Sequence, residues 1–181
     1  MLAFVLAMST VVAQTRGESG LDLNDRRVDP VQMSSGEITV LIFVRTDCPV
    51  SNRYAPTVQR MSEQFQGKAK FWLVYPDKTA TAKTIHKHLD EYHYKLPALR
   101  DPHHDLARRS GVSVTPEAAV FDVAGKLVYH GRIDNLYPAF GQARSAATTH
   151  ELVDAIEATL RGEAPKVAST EAVGCYIADM E

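Results

Sequence analysis

Cysteine is scarce: Cys48 and Cys175 are the only two in 181 residues. Neither a Cys-x-x-Cys nor a His-Glu-x-x-His spacing occurs, so the usual zinc signatures are excluded. Charge of one sign is also lacking. A net charge of -2, with both signs scattered, excludes the basic surface that nucleic acid or an anionic membrane requires. No apolar run is long enough to span a bilayer. Internal repeats and low-complexity blocks are absent. What remains is an ordinary globular composition, 45% hydrophobic, at a length that suits one domain with a real core.

The N-terminus stands apart. Leu2 to Ala13 reads LAFVLAMSTVVA. It resembles the apolar region of a secretory signal, with Val11-Val12-Ala13 as a small-residue cleavage site before Gln14. No Lys or Arg precedes the apolar run. Residues 1–13 are therefore read as a signal peptide and 14–35 as a polar linker or extension. Residues 36–162 are the folded domain, and 163–181 are a tail carrying Cys175. The expected location is outside the cytoplasm, periplasmic or extracellular.

Within the domain, Ile38 to Val44 is a continuous β-branched apolar run, the pattern of a strand covered on both faces. Thr46-Asp47-Cys48-Pro49 follows, with a capping residue and a proline suited to a first helical turn. Val50 to Phe65 then reads as a helix interrupted by Pro56. Lys70 to Tyr75 is a second strand, Thr79 to Tyr92 a polar helix, and Asp101 to Ser110 a short helix stopped by Gly111. Ala118 to Asp122 and Lys126 to His130 form a hairpin across Ala124-Gly125. Thr148 to Arg161 is a helix with Thr148 and Glu151 as a capping box. Early alternation of strand and helix followed by a hairpin predicts an α/β fold with a mixed sheet.

Cys48 carries the chemistry. A thiol reacts as its thiolate, and a helix N-terminus offers free N–H groups and partial positive charge that favour S⁻. Its polar neighbours Asp47, Ser51 and Asn52 set it apart from a core cysteine. Arg45 and Arg53 lie close in sequence. The seven histidines are spaced as surface residues: His86 and His88 do not share a helix face, and His103 and His104 diverge. Arg132 and Asp134 are read as a pair after the hairpin.

A strand, then Cys-Pro-x-Ser at a helix start, then a proline eight residues on, resembles the thioredoxin superfamily. Three stretches make the likeness closer to its redoxin, or AhpC/TSA-like, branch. They are Thr46 to Asn52, Thr115-Pro116-Glu117-Ala118 with Val120 to Asp122, and Tyr129 to Asp134, joined by the C-terminal Thr170 to Ile177. The resemblance implies a thioredoxin-like fold, with a central mixed sheet and helices on both faces. It also implies a cis-proline at Pro116, next to Cys48. Thr115, Pro116, Pro49 and Ser51 would then shape the substrate site, and no metal or cofactor is called for.

Two departures matter. Ser51 stands where thioredoxins carry a second cysteine, so Cys48 has no partner within its motif. Arg45 stands where peroxiredoxins place a threonine, three residues before the reactive cysteine, which counts against a peroxidase. Cys175 is then a resolving thiol, a structural staple to Cys48, or an unpaired thiol. The resemblance suggests that the tail comes near Cys48. The implied activity is thiol-disulfide exchange with protein thiols or disulfides and an external thiol donor. Peroxide reduction is one alternative. The other is a non-enzymatic Cu(I)-binding or interaction module, since thiolates suit Cu(I).

Overall fold

The computed structural model describes residues 19–34, 36–178 and 180. The apolar segment read as a signal peptide lies outside them. The strands are β1 (Gly20–Leu21), β2 (Arg27–Val28), β3 (Ile38–Phe43), β4 (Ala69–Tyr75), β5 (Ala98–Arg100), β6 (Val114–Thr115), β7 (Glu117–Phe121), β8 (Leu127–Gly131) and β9 (Cys175–Tyr176). The α-helices are α1 (Pro49–Gln64), α2 (Ala82–Glu91), α3 (Asp105–Ser110) and α4 (Glu151–Leu160).

Seven strands form one sheet in the order β2-β1-β5-β4-β3-β7-β8, and β6 pairs with β9 in a second, two-stranded sheet. Pairs β3–β4 and β4–β5 are parallel, whereas β3–β7 and β7–β8 are antiparallel. The parallel pairs are the ones joined through helices, and the antiparallel β7–β8 pair closes by a short turn. The fold is α/β, with a mixed central sheet and helices on both faces.

Every residue of β3 is buried, because the strand sits in the middle of the sheet and feeds both cores. Ile38, Val40 and Ile42 meet Val58 of α1, Ile85 of α2 and Leu152 and Ile156 of α4 on one face. Leu41 and Phe43 meet Leu106 and Ala107 of α3 on the other. A central strand packed on both sides fixes where its C-terminal end points, and that end leads into Cys48.

Two segments differ from the sequence reading. The stretch read as a linker or extension, 14–35, supplies β1 and β2, a hairpin that extends the sheet beyond β5. These strands are two residues long, too short to show alternation. The tail is also part of the domain. Its residue Ser169 lies in parallel register with His130, and the amides of His130 and Thr170 bond Ala168 and His130 carbonyls at 3.1 and 3.2 Å. The tail thereby covers the outer edge of β8, an edge that would otherwise offer unpaired backbone groups.

Candidate active site

Cys48 is the N-cap of α1, with extended backbone and Pro49 in the first turn. Its carbonyl accepts from Asn52 N–H at 3.0 Å. Proline suits that turn because its missing N–H is one that a helix start leaves unpaired. The thiol is fully buried, at 0% exposure. It donates to the Thr115 carbonyl at 3.2 Å. The Thr115–Pro116 peptide bond is cis, and both residues are buried.

Cys175 meets Cys48 from the tail. Its thiol points at the Cys48 sulfur with 2.7 Å between the two, and both are free thiols. The placement follows from β9, where Cys175 stands opposite Thr115 and Tyr176 opposite Val114 in antiparallel register. The Ile177 amide donates to Ser113 O at 2.9 Å, and Thr115 Oγ1 donates to Cys175 O at 3.4 Å. Gly174 makes this approach sterically feasible. A Cβ there would lie 2.1 Å from the Thr115 carbonyl oxygen.

The two thiols are inequivalent. Burial opposes ionisation of Cys48, yet hydrogen bonds from the Cys175 thiol and from the Ser51 hydroxyl and backbone N–H outweigh it and lower its pKa. The Ser51 hydroxyl is buried and has no hydrogen-bond partner, so it is free to turn toward the sulfur. Cys175 is pushed up to about 11, by burial first and then by donating its proton toward Cys48. The pair therefore holds its first negative charge on Cys48.

Charged groups around the pair are already engaged. Arg45 forms an ion pair with Asp47 at 2.9 Å and donates to the Tyr176 carbonyl at 3.4 Å. Glu117 follows the cis-proline and is buried. It accepts from the Ser113 and Val114 amides at 2.9 and 3.2 Å and lies 3.7 Å from His130 Nδ1. Burial raises its pKa, opposed by those amides and by His130. Arg132 and Asp134 do not pair with each other. Arg132 bonds Glu151, and Asp134 accepts from Tyr54 Oη at 2.5 Å. Residues two apart across the turn after β8 diverge toward α4 and α1.

The histidines read as surface residues, with room for one packed near the site; His88 is that one and is buried. Its Nδ1 is 2.9 Å from Tyr75 Oη and its Nε2 is 2.9 Å from Asn52 Oδ1. Asn52 Nδ2 donates to Thr46 O at 3.2 Å, so its Oδ1 is the acceptor and His88 carries the proton on Nε2. A directed chain thus runs from Tyr75 through His88 and Asn52 to the turn before Cys48. Burial lowers the His88 pKa and keeps the ring neutral. Helical spacing separated His88 from His86 but gave no sign of this partner on another helix. Among the described residues, no three of His, Cys, Asp and Glu gather to hold a metal ion.

A mixed sheet, a helix-capping cysteine and a cis-proline strand beside it define the thioredoxin-like class. Residues 18–130 match the AhpC/TSA family, well over half the chain, and the protein belongs to that family. No curated protein matches the chain. Among solved structures it is similar to an uncharacterized conserved protein from Geobacillus kaustophilus, 21% identical, with TM-score 0.75 over 91% of this chain and 89% of that one. A hypothetical protein from Sinorhizobium meliloti 1021 is 20% identical, with TM-score 0.73 over 91% and 94%. A secreted Mycobacterium tuberculosis disulfide oxidoreductase is 15% identical, with TM-score 0.53 over 80% and 94%. At these identities the likeness is one of fold.

Proposed function

We propose that this protein is an exported thiol-disulfide oxidoreductase in which Cys48 attacks and Cys175 resolves. The observation that carries the reading is the 2.7 Å approach of the two sulfurs, 127 residues apart in sequence. The Cys48 thiolate attacks a substrate disulfide, forms a mixed disulfide and releases one substrate thiolate. Cys175 gives up its proton and attacks the Cys48 sulfur, releasing the second substrate thiol and leaving a Cys48–Cys175 disulfide. Two electrons reach the substrate, and an external dithiol restores the pair. Pro49, Ser51, Thr115 and Pro116 form the walls around the attacking sulfur, and Ser51 stabilises its charge.

Export rests on the apolar Leu2 to Ala13 segment and on the likeness to a secreted disulfide oxidoreductase. Among the described residues, no helix is long and apolar enough to cross a membrane. Membership of the AhpC/TSA family supports peroxide reduction as a second reading, in which Cys48 becomes a sulfenic acid and Cys175 condenses with it.

The test compares wild type with Cys48→Ser in the reduction of a protein disulfide and of hydrogen peroxide, each with a dithiol reductant. Loss of protein-disulfide reduction in the variant supports the first reading, and loss of peroxide reduction the second. Equal rates in wild type and variant with both substrates would overturn both.

A further inference from the structure

Cys48 is buried, and what covers its sulfur is the tail. The thiol touches the Thr115 carbonyl on one side and the Cys175 thiol on the other. No outside sulfur reaches it while β9 is in place. The tail is also held in a particular way. It is an extended, cysteine-bearing strand laid antiparallel on Val114–Thr115, with its cysteine opposite Thr115. That register drops the Cys175 sulfur onto Cys48.

We propose that Gly174–Tyr176 is an intramolecular strap on the Val114–Thr115 edge, which covers Cys48 and must lift before a disulfide-bearing polypeptide reaches it. This rests on the thiol-disulfide reading above and adds the device that controls entry.

The fastening suits a strap that lifts. Upstream, Thr170 is anchored: its Oγ1 lies 2.8 Å from Tyr129 Oη and accepts from Arg132 N–H at 3.0 Å. Downstream, Ile177 is buried in the second core. Between them, residues 171–176 are half-buried or exposed, and Tyr176 is 79% exposed. A two-residue ladder with little apolar burial opens locally far more readily than the central sheet. Anchoring at Thr170 keeps Cys175 close while the edge is free.

The cycle balances. With the strap lifted, a substrate cysteine reaches Cys48, and the Cys48 thiolate attacks its disulfide, expelling the partner sulfur as a thiolate. The strap then returns, and Cys175 attacks Cys48. The substrate cysteine leaves as a thiol, and the enzyme ends as the Cys48–Cys175 disulfide. The reductant that resets it is a dithiol, oxidised in turn to its disulfide.

The test uses the full chain with Gly174→Val. The added side chain cannot fit against the Thr115 carbonyl, so the strap is displaced while both cysteines stay. In reduced protein, at a pH alkaline enough to ionise Cys48 with or without the Cys175 hydrogen bond, alkylation of Cys48 by iodoacetamide, read by peptide mapping, is expected to rise about tenfold or more. Capture of a cysteine-containing peptide disulfide on Cys48 should rise in parallel. An alkylation rate equal to wild type overturns the proposal. Hydrogen exchange on wild type gives a check that needs no variant. Amides 175–177 should exchange much faster than β3 in reduced protein and slow down after oxidation. Core-like protection of those amides in the reduced state also overturns it. Alkylation and exchange do not depend on turnover, so they stand even if the oxidoreductase reading fails.

Discussion

Thr115 and Cys175 stand directly opposite one another in an antiparallel pair, although 60 residues separate them. The pairing makes the carbonyl of one residue and the thiol of the other the two neighbours of the Cys48 sulfur. A strand of two residues thus decides which sulfur Cys48 meets first.

The asymmetry of the thiols sets the pH dependence. Slowed as it is by the tail that covers it, alkylation of Cys48 should persist to lower pH than that of an ordinary thiol and decline as pH falls through its depressed pKa. Cys175 should react only as pH approaches about 11. Ser51→Ala removes a donor to the thiolate, and a hydrogen bond to a charged group is worth about 1.5–3 kcal/mol, so the rate at pH 7 should fall about tenfold. An unchanged pH profile in Ser51→Ala would show that the hydroxyl does not hold the charge.

His88 is expected to act through Asn52 on the turn before Cys48. Removing it leaves the buried Tyr75 hydroxyl and the Asn52 side-chain oxygen unpaired, at a cost of about 1–3 kcal/mol per orphaned group. Denaturant unfolding of His88→Ala should show that loss, accompanied by a shift in the Cys48 alkylation profile. His88→Gln, which can still donate to Asn52, should recover the profile more fully than the stability. Recovery of neither property would confine His88 to core packing.

Gly131 holds the tail at its upstream anchor. Its φ of 142° is one that other residues rarely adopt, and a Cβ would sit 2.3 Å from Thr170 Oγ1. Gly131→Ala should destabilise the protein by about 2 kcal/mol or more. It should also slow formation of the Cys48–Cys175 disulfide, measured by timed alkylation after oxidation. Wild-type kinetics would mean that the anchor does not govern the approach of Cys175.

Glu117 makes stability pH-dependent. Its folded pKa is raised by burial, so the unfolded chain loses its proton at lower pH than the folded one. Its contribution is fully present below the ordinary glutamate pKa of 4.5 and is lost as pH rises through the raised folded pKa. Glu117→Gln keeps an acceptor for the Ser113 and Val114 amides without the buried charge. The variant should therefore gain stability relative to wild type as pH rises across that window, seen in thermal unfolding between pH 4 and 8. A constant difference would show that Glu117 does not titrate there.

Features with a local cause were legible in sequence. The apolar run Ile38 to Val44 announced a doubly covered strand, and Cys48-Pro49 announced a helix start. The late hairpin followed from Ala124-Gly125 between two strand patterns. Features made by distant contacts were not legible. The sequence showed Cys175 as a second thiol but could not bring it to Cys48, because a two-residue ladder against Thr115 does that work. Sequence left room for one histidine packed near the site but did not single out His88, because its partners Tyr75 and Asn52 lie on other elements. Arg132 and Asp134 read as a pair because sequence nearness says nothing about the directions their side chains take.

The most direct test is intact and peptide mass spectrometry of the full chain, oxidised with one equivalent of a small disulfide and then reduced. The account predicts a monomer that loses two hydrogen atoms on oxidation. Cys48 and Cys175 should be recovered in one cross-linked peptide pair that a dithiol separates. Oxidised protein in which the two cysteines are found apart, each carrying the small thiol or bridging two chains, would contradict it.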